Sequence, residues 1–208
     1  MSKEAFLYAR NFVEASGYSQ EIAWQASVSL DQLTEEDFLR EYAWVVLSSG
    51  MCEAVVRSKF PSVSQCFCSW KSASAIATYA EECVQAALSV YRHERKIRAI
   101  ANTAVALASA DFSIFKKRLS DAPLVALRTL PFIGPVTQFH LAKNIGLDVA
   151  KPDRHLVRIA QLFRFASAQD LCEMIAAQAG TRVAVVDLVF WRFATLNRRY
   201  LEALRQFV

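Results

Sequence analysis

Two short segments hold residue types whose spacing suits chemistry. The first is Leu130-Pro131-Phe132-Ile133-Gly134-Pro135-Val136-Thr137; the second starts sixteen residues after Val136 and reads Pro152-Asp153-Arg154-His155-Leu156-Val157-Arg158. In the first, a glycine in a tight turn lets neighbouring amides face outward, and a helix beginning just after it adds partial positive charge. Outward amides at a helix start make a seat for phosphate. In the second, an aspartate follows a proline where a helix begins, so its carboxylate should stay ionised beside the helix dipole. Such a group suits stabilisation of positive charge better than proton donation, which needs a raised pKa. His155 and Arg158 lie one turn apart on the same helix face and suit phosphate contact. An ordinary loop, a plain N-cap and a core histidine account for the same residues, and at this level both readings stay open.

Helices must position these segments. Apolar residues recur at helical spacing nearly throughout, and no convincing strand pair, repeat or long linker occurs. Residues 123–129 read as a short helix, 130–135 as a tight turn and 136–144 as a second helix ended by Gly146, which together form a helical hairpin. Lys151-Pro152-Asp153 then opens a helix to about Phe165. Upstream, Thr34-Glu35-Glu36-Asp37 resembles a capping box, and the helix it starts has no charge from Tyr42 to Cys52, so it should be buried on most sides. Ile97, Ile100, Ala104 and Leu107 mark an amphipathic helix over about 92–110, and Gly180-Thr181 starts what reads as the last helix.

The 208 residues are 54% hydrophobic with 5 Gly and 5 Pro, a composition that argues against disorder and against a turn-rich all-β architecture. Charge is unevenly placed. Residues 1–60 carry five Lys or Arg against nine acids, whereas residues 112–165 carry nine (Lys116, Lys117, Arg118, Arg128, Lys143, Lys151, Arg154, Arg158, Arg164) against three. That cluster suits a phosphate-binding face. No apolar run reaches the length of a membrane span, and Lys3, Glu4 and Arg10 do not suit a signal peptide, so a cytoplasmic protein without membrane contact is expected. Cys52, Cys66, Cys68, Cys83 and Cys172 are odd in number and lack paired CxxC spacing, so no metal centre or disulfide framework is expected.

The two segments together resemble the helix-hairpin-helix DNA glycosylase superfamily, in which a Leu-Pro-x-Ile-Gly hairpin is followed by Asp-x-His-hydrophobic-x-Arg. Residues 130–134 and 153–158 fit that pattern. Glu41, Leu47 and Ser48 fall where 3-methyladenine DNA glycosylase I has its Glu and Leu-Ser, and Tyr91-Arg92-His93-Glu94-Arg95-Lys96-Ile97-Arg98-Ala99-Ile100 is similar to its Arg-x-x-Lys-Ile-x-Ala-Ile. Phe132-Ile133-Gly134-Pro135 resembles its Phe-Val-Gly-Pro. The likeness covers roughly residues 35–165.

The resemblance implies an all-α fold of two helical lobes, with a helix-hairpin-helix lining a DNA-binding cleft. Residues 1–208 would form one such domain, with hairpin and catalytic segment at about 123–165. It implies a monomeric DNA glycosylase acting on double-stranded DNA with a damaged or modified base, by analogy an alkylated purine. Asp153 would be catalytic, since breaking the base–sugar bond builds oxocarbenium-like charge that a fixed carboxylate stabilises. Ile133, Gly134, Pro135, Val136, Thr137, Arg154, His155 and Arg158 would contact DNA. Glu41 would read an extruded base, and Tyr42, Trp44 or Trp191 would offer it an aromatic face. Each has a plainer role too: Glu41 pairing with Arg40 or Arg57, and the aromatics as core.

Three departures bear on mechanism. Val136 stands where bifunctional members carry a nucleophilic Lys, so no Schiff base is expected there and lyase activity is not expected. The four-cysteine iron-sulfur loop of endonuclease III and the Cys and His set that binds zinc in 3-methyladenine DNA glycosylase I are missing, so no metal or cofactor is implied. Phe132 replaces the first hairpin glycine, which predicts a differently shaped phosphate seat. Lys143 and Lys151 are alternative lyase nucleophiles or phosphate contacts, and His93 and His140 carry no chemistry. A catalytically silent DNA-binding module is the competing reading.

Overall fold

The structure is a computed structural model and describes residues 2–208. Its α-helices, in chain order, are α1 (Ser2–Val13), α2 (Ser19–Ser27), α3 (Glu35–Ser48), α4 (Glu53–Cys66), α5 (Ala73–Thr78), α6 (Ala80–Val90), α7 (Glu94–Ala108), α8 (Phe112–Asp121), α9 (Pro123–Arg128), α10 (Thr137–Asn144), α11 (Arg154–Leu162), α12 (Ala168–Ala179), α13 (Val183–Leu196) and α14 (Tyr200–Arg205). No strand occurs among the described residues. The all-α expectation holds. The chain divides into two units: Leu30–Leu141, and the chain's beginning up to Ser29 together with Ala142–Val208.

In the Leu30–Leu141 unit, α3 is the buried helix that its charge-free stretch predicts. Thr34 caps it by accepting the Asp37 amide at 3.1 Å, and Phe38, Leu39, Tyr42, Ala43, Val45, Val46 and Leu47 are all buried. At its C-terminal end Lys96 of α7, itself buried, donates to the carbonyls of Leu47 (3.0 Å) and Ser49 (2.6 Å), and the Tyr91 hydroxyl donates to Leu47 at 2.9 Å. A cation thus meets the negative end of the helix dipole. The Leu-Ser and Lys-Ile segments that carry the family resemblance are therefore tied to one another. On α7 the predicted apolar positions Ile97, Ile100, Ala104 and Leu107 all face inward.

In the other unit, α13 is the central element and is apolar nearly all round, as expected of a helix enclosed by others. It packs against α1, α2, α11 and α12. Arg182, just before it, donates to the carbonyls of Val28, Gln25 (3.3 Å) and Gly146 (2.7 Å). Those bonds join the chain's beginning to the loop that leads to Asp153. Arg192, 3% exposed, forms a bidentate pair with Glu21 of α2 at 2.9 and 2.7 Å and lies over the rings of Tyr18 and Trp191.

Two helix boundaries differ from expectation. The helix after Asp153 stops at Leu162, not near Phe165, because Arg164 turns left-handed (φ 60°) and the Phe165 amide closes onto the Ala160 carbonyl at 2.9 Å. The helix read as last is followed by α14, which Asn197 sets up by ending α13 in extended backbone and accepting the Arg199 amide. Removing one partner of a buried ion pair leaves the other charge stranded. Glu21 keeps some solvent contact, so Glu21→Ala is expected to destabilise the protein by about 2 kcal/mol in equilibrium chemical denaturation.

Candidate active site

Asp153 caps α11. Its Oδ1 accepts the amides of His155 (2.8 Å) and Leu156 (3.1 Å), while Oδ2 accepts no hydrogen bond from any described residue. The plain structural role and the availability of a carboxylate oxygen therefore coexist in one side chain. His155, the next residue but one, places Nδ1 3.2 Å from the Tyr200 hydroxyl and packs edge-on against the Tyr200 ring. Burial holds its pKa below the usual value of 6.5, and Arg154, Arg158 and Lys151 push the same way against the pull of Asp153. Its imidazole is thus kept neutral near neutrality. Lys151 is half-buried; burial and the nearby Lys143 ammonium lower its pKa, opposed by Asp153 and Asp187.

The hairpin between α9 and α10 is closed by Thr137. Its hydroxyl accepts the Gly134 amide at 2.7 Å and donates to the Phe132 carbonyl at 3.2 Å. The amides of Val136 and Thr137 find no acceptor among the described residues, so they stand at the N-terminus of α10 as free donors. Phe132 adopts φ 62°, the left-handed conformation a glycine takes without strain. Its ring packs edge-on against His93 and lies under the Arg95 guanidinium, 6.0 Å from the ring centre.

No protein-family model matches the chain, and no curated protein matches it in sequence. Among solved structures, the chain is similar to the 8-oxoguanine glycosylase/lyase of Methanocaldococcus jannaschii, crystallised with a 15mer DNA containing 8-oxoguanine. The TM-score is 0.60 at 16% identity, over 91% of this chain and 97% of that one. The chain thus shares the fold of that glycosylase/lyase.

Within that shared fold, the predicted residues separate. In the Leu30–Leu141 unit, Glu41 is 9% exposed and pairs with Arg40 at 3.2 Å, while Arg57 pairs with Glu53. Tyr42 is a correction. It is fully buried and stacks parallel to Phe38; its hydroxyl accepts from Thr103 at 2.9 Å and donates to the Pro131 carbonyl at 3.1 Å. Burial pushes that phenol up to about 12. Tyr42 fastens the hairpin to α3 and has no face to offer a base. Trp44 is partly exposed, with Arg57 over its ring at 5.5 Å and Phe60 against its edge. Trp191 belongs to the other unit, where Arg192 lies over its ring at 4.6 Å.

The DNA-contact set is likewise uneven. Gly134, Pro135, Val136, Thr137, Arg154 and Arg158 are at least partly exposed, but the Ile133 side chain is buried and can contribute only backbone. Of the basic cluster, Lys143 is buried and ion-paired with Asp187, which removes it from any phosphate face and from nucleophilic duty. Lys116 is spent on the carbonyls of Asp31 (2.7 Å) and Leu33 (3.0 Å). Lys117, Arg118, Arg128, Arg154, Arg158 and Arg164 stay exposed. A cavity of about 850 Å³ lined by Phe163, Arg164, Phe165, Met174 and Phe207 takes in Arg164 but neither Asp153 nor the other exposed basic residues. Among the described residues, no three His, Cys, Asp or Glu side chains converge as metal ligands.

Two expectations follow. Phe132→Gly and Phe132→Ala both lose the ring, but only alanine keeps the left-handed strain, so the glycine variant should be the more stable by about 1 kcal/mol in thermal or chemical unfolding. The His155 ring should titrate below 6.5 by NMR. A His pKa lowered on folding means that the unfolded chain binds the proton first. Stability from the neutral ring is therefore complete above the unfolded value and declines as pH falls through it towards the folded value, a decline that His155→Gln should flatten.

Proposed function

We propose that the protein is a monofunctional DNA glycosylase that hydrolyses the N-glycosidic bond of a damaged or modified base, by analogy an alkylated purine, in double-stranded DNA. Asp153 Oδ2, left without a hydrogen-bond partner among the described residues while Oδ1 fixes the side chain to α11, is the observation that carries this reading. A carboxylate held rigidly yet with a free oxygen suits electrostatic stabilisation of the sugar cation and alignment of the attacking water. The free amides of Val136 and Thr137 support phosphate binding at the hairpin, with Arg154 and Arg158 as further phosphate contacts. The enzyme would extrude its target base, a step costing a few kcal/mol that is least for a weakly paired one. Val136 at the hairpin's nucleophile position supports hydrolysis without a Schiff base, and the protein would work as a cytoplasmic monomer without a cofactor.

The test is a single-turnover incision assay on methylated, deaminated and oxidised duplexes, with and without alkali. Wild type is expected to cleave one class only after alkali, and Asp153→Asn to lose on the order of 100-fold or more in rate. Asparagine retains a cap oxygen for the His155 and Leu156 amides, so its stability should stay within about 0.5 kcal/mol of wild type. Cleavage without alkali would argue for lyase action. Binding by both proteins with no cleavage of any duplex would favour the silent DNA-binding module.

A further inference from the structure

The loop that delivers Asp153 is fastened at three successive points, first by its own Asp148 side chain and then by two side chains from outside it. Asp148 Oδ1 accepts the Ala184 amide at 3.0 Å, Gln169 Oε1 accepts the Ala150 amide at 2.8 Å, and Asp187 Oδ1 accepts the Lys151 amide at 2.7 Å. Only the last is a buried charge. Asp187 is 1% exposed on α13, and its Oδ2 meets the ammonium of Lys143, which is itself buried. From Lys151 the link to Asp153 is short and stiff. Pro152 fixes its own φ, and the Asp153 amide closes back onto the Lys151 carbonyl at 2.8 Å. Wherever Asp187 holds the Lys151 amide, Asp153 is carried with it.

We propose that Asp187 is a positioning residue for the Asp153 carboxylate, acting through the backbone of Lys151, with Lys143 as the buried cation on its other oxygen. The inference rests on the glycosylase reading of Asp153. The plainer alternative is that Asp187 serves only to neutralise Lys143. The two are separable because one oxygen of Asp187 does each job. A carboxylate so placed aims Asp153 from a rigid core helix, not from the loop itself, and a misplacement of about 1 Å at a reacting group costs on the order of 100-fold in rate.

Two double variants decide between them. Both Lys143→Met/Asp187→Asn and Lys143→Met/Asp187→Leu abolish the ion pair, but only the first keeps an acceptor for the Lys151 amide. The asparagine double is expected to retain a single-turnover rate within about threefold of wild type, and the leucine double to lose about 10- to 100-fold, with DNA affinity changed in neither. Should leucine prevent folding, Lys143→Met/Asp187→Ala gives the same comparison. A second readout needs no activity: amide exchange at His155 and Leu156, whose N–H groups bind Asp153, should quicken by about tenfold in the leucine double alone. Equal rates and equal exchange in the two doubles would overturn the proposal. If wild type incises no duplex, the glycosylase reading fails instead, and the exchange comparison still decides whether Asp187 holds Asp153.

Discussion

Taking an ammonium out of water costs several kcal/mol unless an anion meets it. Lys143 is buried, so α13 must present an acid to it, and Asp187 is that acid. The rest of the unit built from the chain ends depends on this pair. Helix α13 is apolar nearly all round, and apolar packing has no direction, so hydrophobic burial alone permits several rotations of such a helix. Its two buried charges remove that freedom. Asp187 must reach Lys143 of α10 while Arg192 reaches Glu21 of α2, and one rotation satisfies both. The apolar residues supply the burial and the ion pairs supply the register, a division that also leaves a second oxygen of Asp187 for the Lys151 amide.

Helix capping and chemistry are commonly weighed against each other for an aspartate after proline. Here they need different atoms. Capping takes Oδ1 of Asp153, and the proposed stabilisation of a sugar cation takes Oδ2. The cap contributes more than helix stability, because two amide hydrogen bonds fix the side-chain torsion of a half-exposed carboxylate that solvent would otherwise leave mobile. The neutral imidazole of His155 extends the same logic. Fixed on one side by Tyr200 and depressed in pKa by burial, it adds no positive charge beside Asp153 near neutral pH.

What was legible in the sequence is what depends on neighbours within a turn or two. The capping of α3 by Thr34, its buried apolar stretch, the apolar face of α7, the α9 and α10 hairpin and the cap at Asp153 all rest on spacing, and all lie close to where spacing puts them. The misreadings concern depth. Lys143 counted towards a basic surface because a charge count does not know which lysine faces inward, and Tyr42 passed for a base-stacking ring because an amphipathic tyrosine looks alike in a core and in a pocket. Asp187 drew no notice. An acid in an apolar helix was a signal that a buried cation lay nearby, but Lys143 is 44 residues away in sequence.

Phe132 and Val136 show how far the hairpin's job belongs to its backbone. Phe132 occupies a left-handed position where glycine is the easier residue, and the ring's packing against His93 and Arg95 offsets a strain of about 1–2 kcal/mol. The turn therefore keeps its shape without the first glycine. Val136 offers an amide at the start of α10 but no side-chain nucleophile, and Thr137 spends its hydroxyl on closing the turn. With Phe132 and Ile133 engaged in packing and Thr137 in closure, the hairpin's donors to an anion are main-chain groups. Under the proposed function, sequence-independent phosphate binding would be left to the hairpin and bond breaking to Asp153 alone, a separation that dispenses with the lysine at position 136.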